Sequence, residues 1–238
     1  MNILLVGYGK MGREIEKIAQ ERGHVIVGKI TSKNHTTLTD YTKENTDVAI
    51  EFSTPEIGFS NITTLLKNNI PTVSGTTGWL DRWEDVSAIT NKTNGAFFYA
   101  SNFSVGVNIF FKVNEYLASI MKKFGEYDVK MTEIHHIHKL DAPSGTAITL
   151  AEDIMKHDTK KTSWALDESE KSSDLVITAV RENEVPGTHI IDYFSSIDSL
   201  EIKHEAHNRK GFALGAVLAA EFTAQNKGML GMNDMLKL

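Results

Sequence analysis

The stretch NILLVGYGKMGREIEKIAQERGHVIVGKI, residues 2–30, predicts a strand, a glycine turn, a helix and a second strand. Ile3–Val6 is a short continuous apolar run, which is typical of a parallel strand buried on both faces. Apolar residues then recur at helical spacing from Met11 to Ala19, and Gly23 marks the end of the helix. His24–Ile30 is apolar and β-branched enough for the next strand, so the segment predicts a βαβ unit.

The turn between the first strand and the helix has the pattern GxGxxG. Glycines at these positions permit a tight turn and let the backbone approach a pyrophosphate, while the helix N-terminus attracts the phosphate charge. A glycine turn that binds no nucleotide is the alternative, but the position directly after the first strand favours a dinucleotide site. The residues predicted to contact the cofactor here are Gly7, Tyr8, Gly9, Lys10, Met11 and Gly12.

The second strand ends without the acidic residue that commonly holds the ribose hydroxyl groups of NAD. The sequence there is KITSK, residues 29–33, so no carboxylate would repel a 2′-phosphate. Ser32 and Lys33 could contact such a phosphate, although Lys33 could equally be a solvated surface side chain. We therefore predict that NADPH is accepted, alongside NADH.

The alternation of strands and helices continues to about residue 104 and then changes. Two loops in the first part, 75–77 and 100–103, follow predicted parallel strands, where ligands bind in such sheets. The further cofactor contacts predicted from them are Gly75, Thr76, Thr77, Ala100, Ser101, Asn102 and Phe103.

The chain therefore predicts an α/β protein with two domains. Residues 1–104 and 212–238 would form a Rossmann-like parallel-sheet domain, and residues 105–211 an α+β domain with a mixed sheet. In the second domain, Tyr127–Ile134 is a predicted strand and Thr146–His157 a predicted helix. The polar segment 162–174, TSWALDESEKSSD, is predicted to be a solvated loop.

The segment EIHHIHKLDAPSGTA, residues 133–147, concentrates titratable groups just before a predicted helix. A metal site is one reading of His135 and His138, but the pattern does not match known metal motifs such as HExxH. A nucleophile at Ser144 would need a GxSxG elbow, and the sequence has Pro-Ser-Gly-Thr. A buried structural cluster is the third reading, and it is weakened by the cost of burying so many charges together.

An anion site explains the segment better. A helix that begins near Ser144 exposes backbone N–H groups that favour a carboxylate, and Ser144 and Thr146 add hydroxyl donors. His136 brings a further donor, and His135 and Lys139 are suitable proton donors at neutral pH. Asp141 could orient a partner or cap the turn. Together these residues describe a site for a small carboxylate-bearing substrate that receives a hydride and a proton.

The whole chain resembles the dihydrodipicolinate reductase family nearly from end to end. The motifs that carry the resemblance are VGYGKMG (6–12), SGTTGW (74–79), ASNFSVGVN (100–108), EIHHIHKLDAPSGTA (133–147) and HNRKGFALGAV (207–217). One departure is Asn183, which stands where a glycine is common; asparagine tolerates left-handed backbone, so we expect the turn to persist.

The resemblance implies roles for the residues of the segment 133–147. His135 would be the proton donor and acceptor, Lys139 a second proton donor, and His136 with the Gly145–Thr146 backbone would hold the substrate carboxylates. The implied reaction is reduction of a cyclic dicarboxylate by hydride from NADH or NADPH, with loss of water. The resemblance also implies a homotetramer assembled through the sheet of the second domain, and no metal.

The bulk composition excludes several other classes of protein. The chain has 238 residues, 41% hydrophobic residues and a net charge of −6, which argues against a nucleic-acid binder. It has no cysteine, so disulfides, thiolate chemistry and the usual structural zinc ligands are absent. Its apolar runs are too short for a signal peptide or a membrane span, and we expect a cytoplasmic protein.

Two other functions remain as alternatives. The first is a Rossmann-type oxidoreductase acting on another small carboxylate, which would share the glycine loop. The second is a regulator that binds NAD(P) without turnover. The motif around His135 and Lys139 argues against both, because a protein that had lost catalysis would be expected to have lost these side chains.

Overall fold

The computed structural model describes residues 1–208 and 210–237. The chain divides into two compact units, one formed by Met1–Val105 with the segment that starts at Lys210, the other by the segment that starts at Gly106. These divisions fall one residue later and two residues earlier than those drawn from the sequence. Arg209, in the motif HNRKGFALGAV, and Leu238 lie outside the described residues. In the part of the chain that is described, no helix has the length and apolarity needed to cross a membrane.

The strands, in chain order, are β1 (Asn2–Val6), β2 (Val25–Ile30), β3 (Val48–Glu51), β4 (Thr72–Ser74), β5 (Ala96–Tyr99), β6 (Asp128–His135), β7 (Ser163–Leu166), β8 (Asp174–Arg181), β9 (Gly187–Phe194), β10 (Ser199–Ala206) and β11 (Gly228–Leu230). The helices are α1 (Lys10–Glu21), α2 (Pro55–Lys67), α3 (Trp83–Lys92), α4 (Val105–Met121), α5 (Gly145–Met155), α6 (Lys210–Thr223) and α7 (Met232–Leu236). Short 3₁₀ turns cover His35–Asp40 and Leu80–Arg82.

The first unit contains a parallel sheet in the order β11-β5-β4-β3-β1-β2. The strands β1 and β3 are buried at every apolar position, as the continuous apolar runs predict. The helices α1 and α6 pack on the core formed by these strands. The prediction of a Rossmann-like parallel-sheet domain is confirmed.

The helix α6 lies close to the polypeptide that follows β5, because small residues face that segment. A Cβ atom added at Gly215 would come within 1.7 Å of the backbone oxygen of Phe103. The ring of Phe103 in turn stacks against Phe98 of β5, with 5.9 Å between ring centroids. The small-residue composition of α6 therefore serves close backbone packing.

The second unit contains a mixed sheet in the order β10-β9-β6-β8-β7. The strand β9 pairs antiparallel with β6 and β10, whereas β8 pairs parallel with β6 and β7. Alternate residues of β6, beginning with Val129, are buried, and the core they form includes side chains of α4 and α5. The predicted α+β domain with a mixed sheet is confirmed.

Two local predictions have different outcomes. The prediction of a loop over 162–174 is wrong in part, because Ser163–Leu166 is the strand β7 at the edge of the sheet. The four residues of β7 are mostly apolar, but the run is short and a polar, charged stretch follows it, so the whole segment resembled a loop. Asn183 has a φ of 45°, which confirms the expected left-handed turn.

We expect Gly215→Ala to destabilise the chain, because the added Cβ would collide with a backbone oxygen that cannot rotate away. The expected loss in the free energy of unfolding is about 1–3 kcal/mol or more. Gly211→Ala on the same helix is the matched control, since its Cβ would approach no nearer than 3.7 Å to Ser104. Urea unfolding of both variants measures the difference, and equal stabilities would contradict the packing described.

Candidate active site

The three glycines of the loop before α1 have different surroundings. Gly7 has a φ of 91°, and a Cβ there would lie 2.0 Å from the backbone oxygen of Phe52. A Cβ at Gly12 would lie 2.5 Å from the backbone oxygen of Gly7. Gly9, the residue before the first turn of α1, would meet nothing within 4 Å. Gly7 and Gly12 are therefore required for packing, while Gly9 leaves open space where a pyrophosphate could approach the helix N-terminus.

A cleft of about 380 Å³ lies at the carboxyl ends of β1, β2 and β3. Of the residues predicted to contact a cofactor, Gly7, Tyr8, Gly9 and Ser32 line it. Its wall also includes Ser53, which sequence reasoning missed. A cleft beyond the carboxyl ends of parallel strands is where nucleotides bind in such sheets, and the donors in its wall fit one.

The remaining residues predicted around the glycine loop lie at its edges. Lys10 is exposed and Met11 half-buried at the start of α1. Lys33 is exposed, and its backbone N–H donates to Thr31 Oγ1 at 3.2 Å. Lys33 does not line the cleft, so its contact with a 2′-phosphate stays a prediction.

Tyr8 lies between two cationic side chains at the glycine loop. The Lys29 ammonium lies 4.7 Å from the centroid of the Tyr8 ring, and the Arg13 guanidinium 5.4 Å from it. Lys29 also forms an ion pair with Glu16 at 2.6 Å, and the Tyr8 hydroxyl donates to the same carboxylate. This arrangement fixes Tyr8 beside the loop, and because Glu16 neutralises Lys29, Arg13 supplies positive charge there.

A buried carboxyl group connects the two loops that follow β3 and β4. Glu51 has no exposed surface, and its oxygens accept hydrogen bonds from the hydroxyls of Ser74 at 2.8 Å and Thr76 at 2.9 Å. It also accepts the backbone N–H of Ser53 at 3.1 Å and the Ser53 hydroxyl. Burial raises the pKa of Glu51, against the hydrogen bonds, which lower it.

The predicted cofactor loops 75–77 and 100–103 contain both accessible and buried residues. Thr77 and Ser101 are exposed, whereas Thr76 and Ala100 are buried. Gly75 lies against the ring of Phe52, which a Cβ would reach at 2.3 Å, and Asn102 Oδ1 accepts the N–H of Ser104 at 2.9 Å. The Phe103 side chain belongs to the hydrophobic core and its backbone oxygen packs against Gly215, so its contact with a cofactor stays a prediction.

In the second unit, His135 is the last residue of β6 and is 8% exposed. It shares the buried side of the strand with Glu133, whose carboxylate lies 3.6 Å from His135 Nδ1. His189 of the neighbouring strand β9 meets His135 ring to ring at 5.2 Å, and its Nε2 lies 3.8 Å from Glu133. The structure therefore adds an acid and a further histidine to the cluster predicted from the sequence.

The charge state of this cluster follows from burial and from its neighbours. Burial lowers the pKa of His135, the Glu133 carboxylate opposes that effect, and the cations Lys139 and Arg181 reinforce it. Burial, followed by the influence of His135, lowers the pKa of His189 to about 4. His189 is therefore neutral at physiological pH, while His135 has a neighbour that stabilises its protonated form.

The other polar residues of the predicted site occupy the loop after β6. Lys139 Nζ forms two contacts with the Asp141 carboxylate, at 2.8 and 2.7 Å, and Lys139 lowers the pKa of Asp141. Asp141 therefore orients Lys139, one of the two roles considered for it. His136 is half-buried beside His135, whereas His138 is exposed and pairs with Glu184 at 3.3 Å.

The loop ends at the N-terminus of α5. Ser144 caps this helix, since its hydroxyl accepts the N–H of Ala147 at 3.2 Å and its own N–H donates to Glu133. A Cβ at Gly145 would meet nothing within 4 Å, and Thr146 is half-buried in the first turn. The open space beside Gly145 leaves the first-turn N–H groups accessible to a carboxylate.

Glu133, His135 and His189 also form a donor set of the type that binds divalent cations, with ligand atoms within 4.8 Å of one another. A cation already occupies this carboxylate, since the Arg181 guanidinium donates to Glu133 at 2.9 Å. The prediction that the chain needs no metal stays a prediction.

Two family models together match nearly the whole chain. The family model for the N-terminus of dihydrodipicolinate reductase matches residues 1–103, and that for its C-terminus matches residues 106–236. A 4-hydroxy-tetrahydrodipicolinate reductase of Christiangramia forsetii is 51% identical, over 99% of this chain and 98% of the relative. One of Staphylococcus epidermidis is 34% identical, over 99% of this chain and all of the relative.

Solved structures agree on the fold. A dipicolinate-bound dihydrodipicolinate reductase from Paenisporosarcina superposes with a TM-score of 0.79 at 20% identity, covering 97% of each chain. A probable dehydrogenase from Thermotoga maritima superposes with a TM-score of 0.58 at 11% identity. The fold and these relatives together define an NAD(P)H-dependent oxidoreductase with an N-terminal dinucleotide-binding domain. The chain belongs to the dihydrodipicolinate reductase family.

Gly9→Ala tests whether the open space at Gly9 admits the pyrophosphate of the cofactor. The residue has a φ of −84°, which alanine adopts, and there is open space for its Cβ, so the variant should keep wild-type thermal stability. The methyl group would occupy the approach to the helix N-terminus, and the Kd for NADH and NADPH should rise about tenfold or more. Titration of cofactor fluorescence measures the Kd. Gly7→Ala is the contrasting variant, which should lose stability. Wild-type affinity for the cofactor in Gly9→Ala would contradict a pyrophosphate site at Gly9.

Glu51→Gln should change how stability depends on pH. A raised pKa in the folded chain means that stability is fullest below the unfolded pKa, about 4.3, and is lost as the pH rises toward the folded pKa. Glutamine does not ionise, so the variant does not lose this stability as the pH rises. The melting temperature of Glu51→Gln minus that of the wild type should therefore increase from about pH 5 to pH 8.

Glu56→Gln is the control for this experiment. Glu56 is exposed, and a hydrogen bond from Thr54 lowers the pKa of its carboxyl, so any trend should be small and opposite in sign. A flat or decreasing difference for Glu51→Gln would show that the buried carboxyl carries no proton in the folded chain.

Proposed function

We propose that this chain reduces 4-hydroxy-tetrahydrodipicolinate to tetrahydrodipicolinate in the diaminopimelate route to lysine. The reaction consumes one NADH or NADPH and one proton, and it releases NAD(P)⁺ and one water molecule. The proposal rests mainly on the arrangement of His135 and Lys139 around the open N-terminus of α5. The chain is also 51% identical to a 4-hydroxy-tetrahydrodipicolinate reductase.

The proton chemistry is assigned to His135 and Lys139. Burial lowers the pKa of His135, the adjacent carboxylate of Glu133 opposes that effect, and His135 would donate a proton to the substrate. Lys139 is held by two contacts with Asp141 and would supply the second proton, which leaves with the hydroxyl group as water. The ring carbon next to the departing hydroxyl group loses a proton as the double bond forms, so two protons are supplied, one is released, and the net uptake from solvent is one proton.

The carboxylates of the substrate are assigned to the N-terminus of α5 and to His136. Gly145 leaves the first-turn N–H groups accessible, and Thr146 offers its hydroxyl in the same turn. Ser144 contributes by fixing the start of the helix, because its hydroxyl and N–H are both engaged within the protein. His136, which is half-buried in the loop after β6, would add a further donor.

The cofactor is assigned to the first unit. A nicotinamide dinucleotide supplies the hydride when it is bound. Gly9 and the first turn of α1 would hold its pyrophosphate, and Ser53, Thr77 and Ser101 belong to loops that follow neighbouring parallel strands. Arg13 adds positive charge near Tyr8, whereas Lys29 is paired with Glu16; the charge of Arg13 supports use of NADPH as well as NADH.

We further propose that the enzyme works in the cytoplasm as a homotetramer joined through the sheet of the second unit. The helices cover one face of that sheet, and the other face carries half-buried apolar side chains. These are Ile134, Val176, Val180, Ile190 and Phe194. Light scattering measures the mass in solution, and a monomer at micromolar concentration would contradict this assembly.

A coupled assay tests the reaction. A synthase that condenses pyruvate with aspartate semialdehyde generates the substrate in place, and absorbance follows NADH or NADPH in separate reactions. Cofactor oxidation that depends on the synthase product supports the proposal. Folded protein that oxidises neither cofactor would favour a substrate other than this dicarboxylate, or a regulator.

His135→Ala and Lys139→Ala should each lower kcat by about 10²-fold or more, since each removes a general acid. The Kd for NAD(P)H should stay within about twofold of the wild type, because neither side chain belongs to the dinucleotide unit. His138→Ala and Lys156→Ala are matched controls, since both side chains are exposed and pair with acids. Near-normal turnover in either active-site variant would contradict its assigned role.

A further inference from the structure

Glu133 is a buried carboxylate that none of the assigned catalytic steps uses. Its side chain has no exposed surface, although it lies only two residues before His135 in the same strand. The Ser144 N–H donates to both of its oxygens, at 3.1 and 3.0 Å, and Arg181 donates to one of them at 2.9 Å. Burial would raise the pKa of Glu133, but these donors outweigh that effect and lower it, so the carboxylate is ionised.

The face of His135 toward this carboxylate is closed to solvent. His135 Nδ1 is buried and has no hydrogen-bond partner among the described residues, and Glu133 Oε2 lies 3.6 Å from it. A buried donor is costly unless an acceptor or a charge compensates it. On the other side of the ring, Gly187 has no side chain, and a Cβ there would lie 3.1 Å from Nε2. The ring is thus confined with Nδ1 toward the acid.

The same carboxylate restrains the loop that carries Lys139. Arg181, which donates to Glu133, also donates to the backbone oxygen of Asp141 at 2.7 Å. The N–H of Ser144, at the far end of the loop, donates to Glu133 directly. One carboxylate therefore connects the end of β6, the strand β8 and the start of α5.

We propose that Glu133 is a positioning residue for the reaction, which holds a proton on His135 Nδ1 so that Nε2 serves the substrate, and which fixes the loop bearing Lys139. The inference rests on the proposed function, because His135 is the group that it positions. Glu133 itself touches no substrate atom in this account and acts through His135, Ser144 and Arg181.

The charges facing His135 come from each element packed around it. Glu133 on β6 favours its protonated form, whereas Arg181 on β8 and Lys139 with His136 on the loop disfavour it. His189 on β9 is neutral at physiological pH, and Ser144 at the start of α5 is uncharged. Glu133 is thus the acid that opposes burial and the surrounding cations, which together still lower the pKa of His135.

Histidine ¹⁵N NMR of the full-length protein tests the orientation without turnover. The His135 signal is assigned by its loss in His135→Gln, and its neutral form should carry the proton on Nδ1. In Glu133→Gln the same ring should titrate at least about one pH unit lower than in the wild type. A neutral wild-type His135 with its proton on Nε2 would overturn the proposal, even if Glu133→Gln failed to fold.

Kinetics supply the second readout. Glu133→Gln should lower kcat on the order of 10²-fold, because the reacting groups are displaced, while the Kd for NAD(P)H is unchanged. The high-pH limb of its rate profile should move to lower pH by the amount seen in the NMR titration. Glu133→Asp keeps the charge and should recover most of the loss. Glu184→Gln is the matched control, since it removes an exposed acid beside His138 and should change neither readout.

The outcomes separate the two proposals. If the wild type turns over substrate but Glu133→Gln has a wild-type rate profile and His135 titration, the positioning role is wrong and the proposed function stands. If the wild type oxidises no cofactor with the synthase product, the proposed function fails, and this inference fails with it.

Discussion

A carboxylate without solvent exposure stays ionised only where donors surround it, and that requirement organises the second unit around Glu133. Its oxygens need the guanidinium of Arg181 and the N–H of Ser144, which lie in segments far apart in the chain. Satisfying them fixes where β8 ends and where α5 begins. The position of His135, the course of the loop bearing Lys139 and the open helix N-terminus at Gly145 all depend on this one charge.

The first unit uses a buried acid in a different way. Glu51 is surrounded by hydroxyl groups and pairs with no cation among the described residues, so burial prevails and its pKa is raised, whereas that of Glu133 is lowered. In both units the acid lies at or near the end of a strand and connects it to a neighbouring loop that carries predicted ligand contacts. Glu51 connects to Thr76, and Glu133 connects to Ser144. Rigid support of this kind is what precise placement of reacting groups requires.

The sequence predicts the fold and part of the site for physical reasons that can be named. Continuous apolar strands and the spacing of Gly7, Gly9 and Gly12 are local signals, and they predict the parallel sheet and the glycine loop before α1. The burial of Glu133 could also have been predicted, because alternation along β6 places it on the buried side with His135. Arg181 lies 48 residues further along the chain in an ordinary amphipathic strand, and nothing local connects it to the motif. The strand β7 was not predicted because its four residues are too short a run to stand out from the polar segment that follows them.

The central claim is that the chain moves a hydride from a nicotinamide cofactor to a carbon of a cyclic dicarboxylate, while its own side chains supply the protons. Mass spectrometry of the product formed from NADPH deuterated at C4 tests this most directly, with the two C4 epimers used separately. We predict that one epimer gives a product that is one mass unit heavier and retains the label in water. A product without deuterium from either epimer, formed while the cofactor is oxidised, would contradict the claim.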